Sequence, residues 1–195
     1  MAFEAFSFRI MQKKQQAKDR LRKEVSSLKK GYIQDDLYNR SVEVLSVLEI
    51  TGVFQDAKTI LIYNSLQDEV QTADFIEKWD STKDFYLPVI EKDEIVFRKY
   101  TSSIEYKQSS IGVMEPVGEN FMNYNKVDLI IIPGVAFDRK KNRMGRGKGY
   151  YDRFLSKMKA PKMGICFEFQ LFDDIPNDEN DVKMDYIVSE NELIW

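Results

Sequence analysis

The chain contains no histidine. Ser–His and Cys–His nucleophile systems are therefore excluded, and so is any His-ligated metal, which leaves carboxylates for metal work. Cysteine is nearly absent: Cys166 stands alone, so no intramolecular disulfide can form, and a reducing, cytoplasmic location is expected. No apolar run approaches a membrane span. The N-terminal MAFEAFSFRI reads poorly as a signal peptide, with an acid at Glu4 and a charged segment straight after it. Repeats, low-complexity stretches and internal linkers are all missing. The 195 residues, 43% apolar and 31% charged, suit one globular domain, and a net charge of −3 argues against a generic nucleic-acid binder.

What is present centres on VDLIIIPGVAFDRKKNRMGRGKGYYDRFL, residues 127–155. Leu129 to Ile132 is a β-branched apolar run stopped by Pro133-Gly134, the pattern of a buried strand. A loop follows, in which Gly145, Gly147 and Gly149 alternate with Arg146 and Lys148, and a helix begins at Tyr150-Tyr151-Asp152. A strand, a glycine-rich basic loop and a helix start together favour phosphate, through backbone N–H groups and neutralising cations. The dinucleotide pattern G-x-G-x-x-G fails at Tyr150, and the P-loop pattern fails at Asn142 and Gly149. From Asp138 to Arg153 seven Lys or Arg face two Asp, a local charge of +5 that leaves −8 elsewhere. Cations gathered on one short glycine loop suit a compact polyphosphate better than a nucleic acid. Without an anion, the crowded cations and glycines predict a mobile loop over 138–149.

Elsewhere, residues 12–29 read as a basic amphipathic helix. From the residues alone, Lys18 and Arg22 on it make a solvated face. Asp35 or Asp36 could cap a second helix running to Ile50. Lys58 to Tyr63 reads as a strand, with Thr72 as the N-cap of a helix over Ala73 to Trp79. Glu69, between them, is on its own a surface acid, but it sits where open α/β sheets bind ligands. Residues 84–90 and 94–100 read as strands joined by a turn, 101–126 as polar and aperiodic, and 163–167 and 184–188 as late strands. The alternation implies a three-layer α/β/α fold around a mostly parallel sheet.

The string PGVAFDRKKNRMGRGKGYYD resembles the signature of the 5-formyltetrahydrofolate cyclo-ligase (5,10-methenyltetrahydrofolate synthetase) family. Lys18-Asp19-Arg20-Leu21-Arg22, the 64–72 segment, Ile111 to Pro116 and Asn180 to Asp185 resemble further elements of that family. The resemblance runs from about Gln12 to Val188 and implies an architecture similar to that of phosphosugar isomerases and CoA transferases. MQKKQQAKDRLRKEV, from Met11, resembles a family start, so residues 1–10 are expected to be a disordered extension.

The implied reaction is ATP-driven cyclisation of 5-formyltetrahydrofolate, with or without a polyglutamate tail, to 5,10-methenyltetrahydrofolate, ADP and phosphate. By resemblance Arg146, Lys148 and Tyr150 are catalytic. Lys18, Arg22, Arg143, Gly145, Arg146, Gly147, Lys148, Gly149, Tyr150, Tyr151 and Asp152 bind ATP. Asn64, Glu69, Met114, Lys148 and Tyr150 meet the folate, and Asp152 and Asp181 hold Mg²⁺. Asn64 departs from the apolar residue usual in the family at that position. A monomer is expected, without nucleic-acid or membrane partners. Two rivals differ in their needs: a phosphosugar isomerase would turn over without ATP, and a nucleotide or RNA binder would show a steep salt slope with oligonucleotides.

Overall fold

A computed structural model describes residues 2–103, 105–108 and 114–195, with the side chains of 2–7 and 10 outside that description. Seven strands form the central sheet in the order β12-β11-β9-β6-β1-β2-β3. These are β1 (Thr59–Ile62), β2 (Asp84–Glu91), β3 (Glu94–Lys99), β6 (Leu129–Ile132), β9 (Lys162–Ile165), β11 (Tyr186–Val188) and β12 (Leu193–Ile194). The five inner strands pair in parallel, and β3 and β12 close the two edges antiparallel.

Alternation along the inner strands builds two cores. Ile60 and Ile62 of β1, with Leu129 and Ile131 of β6, turn to the face covered by α2 (Gln34–Glu49), α3 (Gly52–Asp56) and α4 (Ala73–Trp79). Leu61, Ile130 and Ile132 turn to the other, where Phe154 and Leu155 of α5 (Tyr150–Leu155) pack. Apolar on both faces, these strands must be central, since only burial on both sides repays such a run. The second helical layer is thin, because α5 has only six residues.

Local chemistry fixes several joints. Trp79 lies edge-on to Phe54 with ring centroids 5.3 Å apart. The buried Lys83 ammonium sits over Phe54 and donates to the carbonyls of Phe54, Gln55 and Ala57 at 2.7–3.0 Å, closing the C-terminal end of α3. On the other side of the sheet, the ring of Phe137 fills the space that side chains at Gly134 and Gly164 would need: a Cβ on Gly164 would lie 2.3 Å from it.

Boundaries differ from the sequence reading in instructive places. Helix α1 runs over Ala2–Lys29, so residues 2–10, expected as a disordered extension, are its first turns; Met1 lies outside the described residues. Asp35 and Asp36 stand in the first turn of α2, not at its cap, which is Ile33. Thr72 occupies the N-cap of α4, but its hydroxyl donates to the carbonyl of Tyr63 at 2.9 Å, tying helix to strand. The polar stretch 101–126 carries a hairpin, β4 (Tyr106–Gln108) and β5 (Met114–Pro116), while Ile111, Gly112 and Val113 lie outside the described residues. A small second sheet, unforeseen, is built by β7 (Ala136–Asp138), β8 (Arg143–Met144) and β10 (Leu171–Phe172).

Candidate active site

From β1 the chain moves to β2 on one side, and then returns to β6, β9 and β11 on the other. The order therefore reverses between β1 and β6, and ligands bind beyond the carboxyl ends of strands at such a point. A cleft of about 1250 Å³ opens there, lined by residues 63–69 after β1, 133–135 after β6, the loop 145–149 with the start of α5, and the rim of β2 and β3.

The glycine loop rests on a firm base. Asp138, fully buried, accepts from the N–H groups of Lys140, Asn142 and Ile175 and from the Asn142 amide, all at 2.8–3.1 Å. This hub folds 138–144 into the β7–β8 hairpin and ties it to the carboxyl-terminal segment. Arg139 pairs with Glu192 and Lys140 with Asp174, so much of the positive stripe is neutralised. The expectation of a mobile loop across 138–149 is therefore corrected for 138–144, which is a pinned turn. The five residues after it are held through side chains and carbonyls alone: Arg146 pairs with Asp68 and Glu69, and the carbonyls of Gly145 and Lys148 accept from Arg22 and Arg153. Gly147 and Gly149 have φ of +104° and +66°, backbone that a side chain strains. Among the described residues no hydrogen bond engages the N–H groups of 145–149.

Arg143, 3% exposed, lies under the loop, donating to the carbonyl of Pro133 at 3.2 Å and to both carboxylate oxygens of Asp152 at 3.1 Å. Arg22 reaches up from α1 and donates to the carbonyl of Gly145 at 3.0 Å. Lys18, one turn earlier on α1, is directed elsewhere: it lies 2.6 Å from Asp178 and 2.5 Å from Asp181. Burial would lower its pKa, but hydrogen bonds and attraction from those two aspartates prevail and raise it above 10.5.

Across the cleft, Glu69 accepts from the N–H of Leu66 at 3.1 Å and from Arg146 at 3.0 Å. Asp68 accepts from the same guanidinium group at 2.8 Å. Tyr150 donates to Asp93 at 3.1 Å, a bond that raises its pKa, and Arg153 stacks over its ring. Burial pushes the Tyr151 phenol well up. Lys148 is exposed, and among the described residues its ammonium has no ion pair.

Of the residues singled out from the sequence, Asn64, Glu69, Arg143 and 145–152 line one cleft. Lys18, Arg22, Met114 and Asp181 are not on its wall. Arg22 touches the cleft through the glycine loop, and Asn64 donates to the carbonyl of Met114 at 2.7 Å, linking β1 to the β4–β5 hairpin. The Asn64 amide is thus a tether between strand and hairpin. Asp68, Asp93, Asp138 and Asp178 were missed. Each lies in an acidic or loop context that reads as solvated until the fold supplies its cationic, N–H or hydroxyl partner.

The two aspartates expected to hold Mg²⁺ bear oxygen donors suited to a hard cation. The segment that carries Asp181 touches Asp152, since the N–H of Val182 reaches Asp152 Oδ1 at 3.4 Å, while the Asp181 carboxylate itself accepts from Lys18 and the Asp152 carboxylate from Arg143. No group of three or more His, Cys, Asp or Glu gathers among the described residues. The remaining positions around Mg²⁺ would therefore fall to water and phosphate, its usual company. No helix of the described residues is long and apolar enough to cross a membrane.

Comparison with known proteins finds one family at every level. The family model described as the 5-formyltetrahydrofolate cyclo-ligase family matches residues 14–190. A 5-formyltetrahydrofolate cyclo-ligase of Haemophilus influenzae is 31% identical, over 89% of this chain and 95% of its own; one of Mus musculus is 30% identical, over 90% and 94%. The solved 5,10-methenyltetrahydrofolate synthetase of Aquifex aeolicus superposes with a TM-score of 0.82 at 34% identity, covering 91% of each chain.

Proposed function

Since the chain belongs to the 5-formyltetrahydrofolate cyclo-ligase family and is an enzyme of that kind, we propose that the cleft between β1 and β6 aligns 5-formyltetrahydrofolate with ATP, using the residues just described. The observation that carries this reading is the loop 145–149, with its unengaged N–H groups and the cations Arg143, Arg146 and Lys148, facing Glu69 across the cleft. In the reaction the formyl oxygen attacks the γ-phosphoryl group and ADP leaves. N10 then captures the activated carbon, and phosphate departs. The nucleophile belongs to the substrate, so a chain without histidine is no handicap. Positioning and charge neutralisation are what the protein supplies.

Gly145, Gly147 and Gly149 present N–H groups to the polyphosphate, with Tyr151 and Asp152 bordering it. Arg143, Arg146 and Lys148 neutralise the developing charge. Arg22 completes the cationic surround from α1 by way of the Gly145 carbonyl, and Lys18 would join it by leaving its place between Asp178 and Asp181. Glu69, Asn64 and Tyr150 border the folate, and Met114 borders it through its hairpin. Asp152 and Asp181 would hold Mg²⁺, which supplies further charge neutralisation at the phosphates. The enzyme works as a monomer in the cytosol, which suits a lone, buried Cys166, and takes folates with or without a polyglutamate tail.

The test mixes protein, 5-formyltetrahydrofolate and MgATP and follows the near-ultraviolet absorbance of the methenyl product. Absorbance rises only with all components present, one ADP accompanying each product. Product formation without ATP, or ATP hydrolysis without folate, overturns the reading.

A further inference from the structure

Arg146 stands on the glycine loop, yet its side chain is held on the far side of the cleft. Its Nη2 lies 2.8 Å from Asp68 and 3.0 Å from Glu69, and its Nε lies 3.3 Å from Glu69. Asp68 is fixed in turn from behind. The buried Lys29, at the end of α1, donates to the Asp68 carbonyl at 2.5 Å and to its carboxylate at 3.0 Å. The same helix holds the other bank of the cleft, through Arg22 and the Gly145 carbonyl. A single rigid element thus anchors both ends of a salt bridge that spans the cleft. Burial would raise the Asp68 pKa, but Lys29 and Arg146 overcome it and hold the group ionised below 3.8.

We infer that Asp68 is a positioning residue: backed by Lys29, it holds Arg146 against Glu69 as an ion-pair latch, which each of the two substrates must open and which therefore couples their binding. This rests on the assignment of Arg146 to the polyphosphate and Glu69 to the folate. A phosphate chain must draw Arg146 away from both carboxylates. A folate that hydrogen-bonds Glu69 must displace the guanidinium. Either ligand alone bears the whole cost of opening, and the second finds its partner already released. Coupling of this kind is reciprocal: ATP strengthens folate binding by the factor with which folate strengthens ATP binding. A factor of roughly ten lies within the usual 5- to 150-fold range for coupled sites.

The experiment is equilibrium titration of a non-hydrolysable ATP analogue with Mg²⁺ onto the full chain, with and without saturating 5-formyltetrahydrofolate, for the natural protein, Asp68→Asn and Glu69→Gln. The natural protein should bind the analogue roughly tenfold more tightly when folate is present. In Asp68→Asn that ratio should shrink severalfold, because the analogue now binds more tightly to the folate-free protein. Simple removal of a negative charge would tighten analogue binding equally with and without folate, leaving the ratio unchanged, and that result overturns the latch. A ratio of one in the natural protein also overturns it. Glu69→Gln separates the two levels. If it loses folate affinity while Asp68→Asn leaves the ratio intact, the latch is wrong and the site assignment stands. Undiminished folate affinity in Glu69→Gln removes the assignment and the latch together.

Discussion

At Glu69 a carboxylate with a side chain only 10% exposed is balanced by one guanidinium group and one backbone N–H. Replacing it with Gln keeps the shape and removes the charge. Losing a charge-assisted hydrogen bond to substrate costs about 1.5–3 kcal/mol, so kcat/KM for folate should fall roughly ten- to a hundredfold, while ATP affinity does not fall and rises if Arg146 is released from Glu69. Unaltered folate kinetics would return Glu69 to an ordinary surface role. Asp152 allows a similar separation. A carboxylate in the first turn of a helix stabilises by about 0.3–1 kcal/mol through the dipole, less on a helix as short as α5. Asp152→Asn should instead raise the Mg²⁺ concentration needed for half-maximal turnover, and Asp181→Asn should do the same. A lowered melting temperature with normal Mg²⁺ dependence would make both residues structural. Much of this site was legible residue by residue, because glycines at required spacings and cations beside them carry their chemistry in their type. Asp68 and Asp178 carry no such mark. A carboxylate among other carboxylates reads as solvated, and only the arrival of Lys29 and Lys18 from more than thirty residues away gives them work.

The elements around the cleft differ in how firmly they are held, and trypsin can report it. Lys140 and Arg139 are ion-paired, Arg143 is buried, and the carbonyl of Lys141 accepts from Met184 at 2.9 Å. Cleavage of the ligand-free protein should therefore fall first after Lys148, whose ammonium has no ion pair among the described residues, with 139–143 spared and Arg146 shielded by Asp68 and Glu69, and Mg²⁺ with an ATP analogue should suppress it. Equal cutting at Lys140 and Lys141 would mean the hairpin is not pinned in solution. Short β7 and β8 escaped the sequence reading because strands of two or three residues have no period to detect, and what makes them is the buried Asp138 hub. The inner strands were legible for the opposite reason, since an unbroken apolar run such as 129–132 has no stable place except between two covered faces. Behind the hairpin, Gly164→Ala should force the Phe137 ring to move and cost about 1–3 kcal/mol of stability, read as a lower denaturation midpoint. An unchanged midpoint would show that the ring shifts freely.

For the whole molecule, the long-range ion pairs define a pH window. The hydrogen bond from Lys18 holds Asp178 below its ordinary 3.8 against the opposing effect of burial, and Asp68 is held down by Lys29 and Arg146. A carboxylate lowered in the fold contributes stability above its unfolded pKa and loses it as pH falls. Lys18, raised above 10.5, contributes at all lower pH and loses its contribution as pH rises past that value. The melting temperature should therefore be level through neutrality and drop below about pH 4, and Asp178→Asn should blunt that acid limb. An acid limb identical in the variant would show that Asp178 is not among the groups responsible. Because the Asp178 side chain is 37% exposed, solvent screening keeps its share modest.

The packing of Trp79 against Phe54 has a spectroscopic corollary. The chain has two tryptophans, and neither borders the cleft: Trp79 is wedged under Lys83 on the far side of the sheet's helical layer, and Trp195 is 82% exposed at the terminus. Trp195 already emits from water, so a red shift on denaturation comes from Trp79 alone. The protein thus carries a built-in fluorescence gauge of its core, set apart from the cleft, and unfolding of the ligand-free chain can be followed without a label.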